Sequence, residues 1–284
     1  DGIRDPESCL VGSEMCIRDR LDGKSAMISG GARGIGGATA KCMAAAGAKV
    51  VIGDVLDEAG EATAAEIRAS GGEARYIHLD VTKEADWQAA VDLATGSYGG
   101  LDILVNNAGL FLGRDFEEVS VADWERLVSV NLTGVWLGTK MCAPALREAG
   151  KKSPAGSVIV NLASVAGLVG SQLDPLYSMT KGGVTTFTKS TALAFGRKGD
   201  RIRVNSIHPG VIETDMGAQT FVSRAAQIGT NDSDTAREQS LRMHPIGRLG
   251  VADDIAKGIV YLASDDAGFM TGAGLVVDGG YTAQ

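Results

Sequence analysis

The chain has 284 residues, 44% hydrophobic and 22% charged, enough to bury a core in one large α/β domain or two small ones. Its formal net charge of -8 argues against nucleic-acid binding, which needs a basic face. No apolar run spans a bilayer, no basic-apolar-small start reads as a secretory signal, and Cys9, Cys16, Cys42 and Cys142 neither form a CxxC pair nor cluster with His78, His208 and His244; a cytoplasmic protein without disulfides or metal is therefore expected.

Residues 1–20, DGIRDPESCLVGSEMCIRDR, hold no sustained apolar period. Residues 9–20 read as an in-frame translation of a sequencing-library adapter, residues 1–5 as the adjoining primer, and residues 6–8 fall where a sample index lies. The alternative is a disordered N-terminal arm. Residues 1–20 are therefore set apart as a leader, and residues 21–284 are expected to form one domain.

From residue 25 the chain alternates short apolar runs with longer polar-patterned segments. The first strand is expected at Ser25–Ser29, and it runs into Gly30, Gly31, Ala32, Arg33, Gly34, Ile35 and Gly36. Glycines permit a tight turn and close backbone approach to a pyrophosphate, which the next helix, expected over 35–46, receives on its free N–H groups. A second strand over 49–53 leads to Asp54, eighteen residues after Gly36, where a carboxylate accepts hydrogen bonds from an adenosine ribose. Helix 57–70, strand 74–79 ending near Asp80-Val81, helix 83–97 and strand Ile103–Asn106 follow, the last leading into Asn107-Ala108-Gly109.

A long helix is expected over 121–149, then a strand at Ser157–Leu162 with Ser164 just past it. Asp174-Pro175 reads as a cap and first turn of helix 175–197. Tyr177 and Lys181 fall four apart on one face of that helix. A phenol ionises near pH ~10, and an ammonium beside it brings it towards acid/base use. Ser164 offers a hydroxyl to a substrate oxygen. Strand 203–207, helix Ala252–Ala263 and strand 275–277 complete the rhythm, interrupted by a long segment over 213–250. Strand–helix alternation gives an α/β fold, a single-domain doubly wound parallel sheet of Rossmann type with helices on both faces. Cys42 and Cys142 are read as core residues, and His208 as a packing residue at a strand end.

Residues 29–36 and 106–109, Ser164, Tyr177-x-x-x-Lys181 and Pro209-Gly210 together resemble the short-chain dehydrogenase/reductase family over residues 21–284. The resemblance implies a homotetrameric nicotinamide-dependent oxidoreductase working on a small-molecule alcohol or ketone. It makes Ser164 the group that orients the substrate oxygen and Tyr177 the proton carrier. Lys181 lowers the Tyr177 pKa and holds the nicotinamide ribose, and Asn131 completes a water-linked relay. Asn107 lines the cofactor cleft, Asp80 and Val81 hold the adenine, and Ile212 and Thr214 meet the carboxamide end. The turn Asp278-Gly279-Gly280 is expected at subunit contacts. Ser29 stands where the family usually has Thr, and Ala163 where a second Ser is common.

Two finer expectations follow. Phe111, Leu112, Val165, Leu168, Val169, Leu173 and Leu176 would line an apolar cleft, covered by residues 213–250 as a mobile lid with Met216, Phe221, Val222, Ile228 and Met243 facing it. That favours a ring-bearing alcohol, as does a broad likeness at 53–58 and 78–81 to family members acting on hydroxysteroids and alicyclic alcohols. Asp54 would repel the 2′-phosphate of NADP. Arg33 offsets only part of this and Val55 supplies no second cation, so NAD is expected over NADP, with Arg33 on the pyrophosphate or beside the adenine. The alternatives are an NADPH-dependent 3-oxoacyl thioester reductase and, in a different class, a dinucleotide sensor without catalysis.

Overall fold

In the computed structural model, residues 20–171, 174–227, 229–230 and 232–283 are described. Residues 1–19, with the adapter-like leader apart from Arg20, and Leu173 and Ile228 of the expected cleft and lid lie outside them. The period of two in the strands explains the architecture. In β1 (Ser25–Ser29), Ala26 and Ile28 enter one core and Met27 the opposite one. The same division recurs in β2 (Lys49–Asp54), where Val50 and Ile52 oppose Val51, and in β4 (Ile103–Asn106), where Ile103 and Val105 oppose Leu104. Both faces are apolar, so both must be covered.

The cover comes from helices alternating with the strands: α1 (Gly34–Ala45), α2 (Asp57–Ala69), β3 (Glu73–His78), α3 (Glu84–Tyr98), α4 (Val121–Val128), α5 (Gly134–Gly150), β5 (Ser157–Leu162), α6 (Pro175–Lys198), β6 (Ile202–Pro209), α7 (Asp215–Gln227), α8 (Ser233–Arg242), α9 (Ala252–Ala263) and β7 (Gly274–Val277). Met43 of α1, Ile67 of α2 and Ile255 of α9 fill one core; Trp87 of α3 and Leu146 of α5 fill the other. The seven strands are parallel in the order β3-β2-β1-β4-β5-β6-β7. Connections leaving β1 and β4 diverge, opening a crevice at their C-terminal ends.

The expected elements recur within a residue or two, with two differences. The edge strands β3 and β7 are only partly buried, unlike β1, β4, β5 and β6. The helix expected over 121–149 is broken: a π-helical turn, Ser129–Thr133, separates α4 from α5. Asn131 sits in that turn with its side chain fully buried.

Candidate active site

The turn after β1 is held by hydrogen bonds from the next motif. The Ser29 hydroxyl accepts from the amides of Asn107 (3.1 Å) and Ala108 (3.2 Å), and Asn107 Nδ2 donates to the carbonyls of Ser29 (2.9 Å) and Gly30 (2.8 Å). Gly30 and Gly34 have φ of 64° and 56°, where a side chain is strained. A Cβ on Gly36 would lie 2.0 Å from the Gly30 carbonyl oxygen and 2.5 Å from Asn107 Nδ2. The glycine turn is thus built for bare backbone at the start of α1, which fits the pyrophosphate of a dinucleotide.

A cleft of about 760 Å³ opens there, lined by Gly30, Arg33, Gly34, Ile35, Gly36, Asp54, Asp80, Val81 and Asn107, and by Arg126 and Ser129, which the sequence reading missed. Asp54 is 8% exposed; Oδ2 accepts from the Ala32 amide (2.9 Å) and Oδ1 from Leu56 (3.1 Å). It ties the glycine turn to the end of β2 and keeps acceptor capacity, since a carboxylate has about four lone-pair sites. Asp80 accepts from the Thr82 amide and hydroxyl and pairs with Lys83 at 3.2 Å; burial raises its pKa, but these partners prevail and hold it below the ordinary range. Arg33 lines this cleft beside the glycine turn. Its guanidinium pairs with Asp215, the first residue of α7, at 2.6 Å.

A second cavity of about 410 Å³ adjoins the first, sharing Ile35, Asn107, Gly109, Leu162, Thr214 and Met216. Ser164, Tyr177, Lys181, Ile212 and Thr214 line it, so residues far apart in sequence converge there. Asp174 caps α6 by accepting from the Tyr177 amide (2.8 Å), as the Asp-Pro pair predicts, and its other oxygen accepts from Leu112 (3.3 Å) and Gly113 (3.2 Å). One buried carboxylate therefore fixes both the start of the catalytic helix and the loop after β4. Phe111 meets the Tyr177 ring edge-on, with centroids 5.5 Å apart. Ser164 Oγ accepts from the Ala166 amide at 3.1 Å, which orients the hydroxyl and leaves its proton to donate.

Burial pushes the Tyr177 hydroxyl above its ordinary pKa; a hydrogen bond from Ser164 opposes this and the Asp174 carboxylate adds to it. Burial lowers the Lys181 ammonium to about 8. Its Nζ lies 5.5 Å from the Tyr177 ring centroid and donates to the Leu162 carbonyl at 2.7 Å. Burial thus sets the direction for Tyr177 in this cavity, with the Lys181 ammonium on the same wall.

Asn131 lines neither cavity. Its amide accepts from Leu110 N (2.7 Å) and donates to Leu110 O (2.9 Å) and to the Thr180 hydroxyl (3.1 Å), whose own proton goes to the Tyr177 carbonyl (2.8 Å). It pins the loop after β4 to α6 from below. His208, read from sequence as packing only, is fully buried at the end of β6. Its Nδ1 lies 3.1 Å from the Ser164 carbonyl and its Nε2 2.9 Å from the Ser206 hydroxyl. A carbonyl can only accept, so Nδ1 carries the proton. Burial holds the ring's pKa below its ordinary value, opposed by the bond to Ser164. His208 backs the loop that carries Ser164, and its place before Pro209-Gly210 was the available signal.

The described residues of 213–250 wall the second cavity through Thr214, Met216, Thr220, Arg224, Ser240 and Met243. Their ends meet where Glu213 N donates to Gly250 O (2.8 Å) and Gly250 N to Val211 O (3.1 Å). His244 bridges the Ser240 carbonyl (2.7 Å) and the Val211 amide (3.2 Å). Met216 and Met243 line the cavity as expected. Phe221 does not: it turns into a small core with Ala225, Ala236 and Leu249, because α7 and α8 bury their apolar sides on each other. Val222 is 63% exposed and Leu168 45%, while Leu112 and Leu176 are absent from the lining. Thr220, Arg224, Ser240 and Tyr281 are present instead.

A doubly wound sheet, a glycine turn at its crevice and a Ser-Tyr-Lys group beside it define an oxidoreductase of the nicotinamide dinucleotide class. A family model described as enoyl-(acyl carrier protein) reductase matches residues 30–282. A 3-alpha-(or 20-beta)-hydroxysteroid dehydrogenase of Mycobacterium tuberculosis is 44% identical over 93% of this chain and 91% of its own length. A trans-4-hydroxycyclohexanecarboxylate dehydrogenase of Sinomonas cyclohexanicum is 40% identical over 94% and 96%, and a cyclohexanol dehydrogenase of Acinetobacter sp. is 38% identical over 95% and 100%. The crystal structure of a short-chain type dehydrogenase/reductase from Mycobacterium marinum superposes with a TM-score of 0.83 at 32% identity, over 95% of this chain and 99% of that one. The chain belongs to the short-chain dehydrogenase/reductase family. It is an enzyme that moves a hydride between a nicotinamide dinucleotide and a secondary alcohol or ketone.

Proposed function

We propose that the enzyme acts on a ring-bearing, largely apolar secondary alcohol, with NAD as the preferred cofactor and Tyr177 as the acid/base. The observation that carries this reading is the convergence of Ser164, Tyr177 and Lys181 on a cavity walled by Phe111, Val165, Val169, Met216 and Met243. The names of the relatives, a hydroxysteroid dehydrogenase and two dehydrogenases of cyclohexane derivatives, support the substrate class.

When bound, the oxidised nicotinamide supplies the hydride acceptor and a positive charge. Gly30, Gly34, Ile35 and Gly36 hold its pyrophosphate, Asp54 the adenosine ribose, Asp80 and Val81 the adenine, and Ile212 and Thr214 the carboxamide end. Ser164 donates a hydrogen bond to the substrate oxygen. In the reducing direction, Tyr177 passes its hydroxyl proton to the carbonyl oxygen; its raised pKa keeps that proton available. In the oxidising direction, the Tyr177 oxygen takes the alcohol proton once the positive charges of Lys181 and of the bound oxidised nicotinamide offset the burial that raises its pKa. Lys181 also donates to the nicotinamide ribose, and Asn131 holds the loop and helix along which a water-linked relay leads away.

Asp54 lines the cofactor cleft at the end of β2, so a 2′-phosphate on the adenosine ribose meets its carboxylate; Arg33, paired with Asp215, offsets only part of that repulsion. The wild type should prefer NAD by ~10–1000-fold in kcat/KM, equivalent to roughly 1.4–4 kcal/mol, and Asp54→Ser should narrow that gap. A wild type that prefers NADP, or an unchanged ratio in the variant, removes Asp54 from this role. The same assay, run over steroids, alicyclic alcohols and acyl thioesters, decides the substrate class; a strong preference for thioesters counts against a ring alcohol.

We read the protein as a cytoplasmic homotetramer, as the family resemblance implies; the half-exposed Trp136 on α5 and Leu193 on α6 leave apolar surface for a subunit contact. Among the described residues no helix is long and apolar enough to cross a membrane. Light scattering after size exclusion reads the assembly.

A further inference from the structure

Among the described residues, the walls of the substrate cavity carry two charged side chains, and both are cations: Lys181 and Arg224. Lys181 belongs to the catalytic group. Arg224 lies in the last turn of α7, lines this cavity and does not line the dinucleotide cleft. Its Nη1 donates to the Ser240 hydroxyl at 3.3 Å and lies 3.2 Å from Met243 Sδ. Ser240 is 1% exposed and gives its own proton to the Ala236 carbonyl at 2.9 Å, so it faces Arg224 as an acceptor. The guanidinium is therefore aimed by one neutral oxygen and one thioether, a weak acceptor. Among the described residues no carboxylate lies within ion-pair distance of Arg224, although Arg237 and Arg242 on the neighbouring helix each have one.

A partly buried charge among apolar side chains lacks solvation that a partner of opposite charge restores. A guanidinium takes a carboxylate through two parallel N–H bonds. We infer that Arg224 is an anion-recognising, specificity-determining residue, and that the preferred substrate is a ring alcohol carrying a carboxylate away from its hydroxyl. This rests on the reading that the alcohol oxygen sits between Ser164 and Tyr177: the hydroxyl end is then fixed from α6 and the anionic end from the cover. Because α7 and α8 together orient Arg224, the anion joins the two cover helices over the bound ring.

The test compares 4-hydroxycyclohexanecarboxylate with its methyl ester, which keeps the ring and hydroxyl and removes the charge. Wild-type kcat/KM should favour the acid by roughly 10- to 100-fold, the scale of a hydrogen bond to a charged group. Arg224→Met should collapse that ratio towards unity, and Arg224→Lys should keep part of it. Calorimetric titration of cyclohexanecarboxylate and its methyl ester into enzyme with NAD gives a reading independent of turnover. Tighter acid binding that disappears in Arg224→Met supports the inference. Equal acid and ester constants in the wild type, or an unchanged ratio in Arg224→Met with a less stable cover, overturn it and leave Arg224 as a helix-end residue. If cyclohexanol and both hydroxylated probes go unoxidised with either cofactor, the ring-alcohol reading fails, while the calorimetry still decides whether Arg224 recognises the anion.

Discussion

The glycine turn and the cover over residues 213–250 bound the same active site by opposite means. The turn is backbone held by backbone and by short side chains from the sheet, with Ser29, Asn107 and Asp54 each bonded into it. The cover is two helices with a small core of their own, pinned at the stem by Ile212 and Gly250 and by His244. A site assembled this way has a fixed cofactor floor and a substrate roof whose stability is largely local. Cofactor binding and substrate selection should therefore fail separately.

The largest expected effect lies at the seam between the two. Tyr177→Phe keeps the ring against Phe111 and removes the transferable proton. Turnover should fall by about two to four orders of magnitude, the scale of lost general acid/base catalysis, while reduced cofactor binds as in the wild type in a fluorescence titration. Near-normal turnover would take Tyr177 out of the chemistry, and lost cofactor binding would deny the separation.

Next comes the floor. Gly36→Val forces side-chain atoms onto the Gly30 carbonyl and Asn107, and neither can swing away because both are tied to β1. Cofactor affinity should weaken by ~100-fold, which is about 3 kcal/mol, at the upper end for forced overpacking. Wild-type affinity in a folded Gly36→Val protein would mean that the pyrophosphate lies elsewhere.

The smallest global effect is expected in the cover. Ile52→Ala in the main core should cost about 2–5 kcal/mol of stability, read by denaturant unfolding. Phe221→Ala removes the largest side chain of the cover's own core, yet it should leave global melting nearly unchanged while raising the substrate KM and speeding amide exchange across 213–250. An equal loss of global stability in both variants would make the cover one cooperative unit with the sheet.

The same contrast explains what was legible in the sequence. The strands, the glycine turn, Asp54 and the Tyr177/Lys181 pair follow from spacing along single elements, and the capped start of α6 from Asp174-Pro175. What was not legible depended on contacts between elements. The π turn at Asn131 serves a tertiary bond to Leu110, and no local pattern marks it. Arg33 pairs with Asp215 across 182 positions, a partner that no spacing along one element marks. In the cover, Phe221 and Met243 look alike as apolar residues in a polar stretch; only the packing of α7 on α8 turns one inward and leaves the other on the cavity.

The central claim is that this site moves hydride from a substrate's carbinol carbon while Tyr177 handles the hydroxyl proton. The most direct measurement uses cyclohexanol deuterated at that carbon, with NAD, and mass analysis of the reduced cofactor formed by wild type and Tyr177→Phe. The account predicts reduced cofactor carrying the substrate's deuterium, formed by the wild type and only residually by the variant. Reduced cofactor without that deuterium, or formed equally fast by Tyr177→Phe, would contradict it.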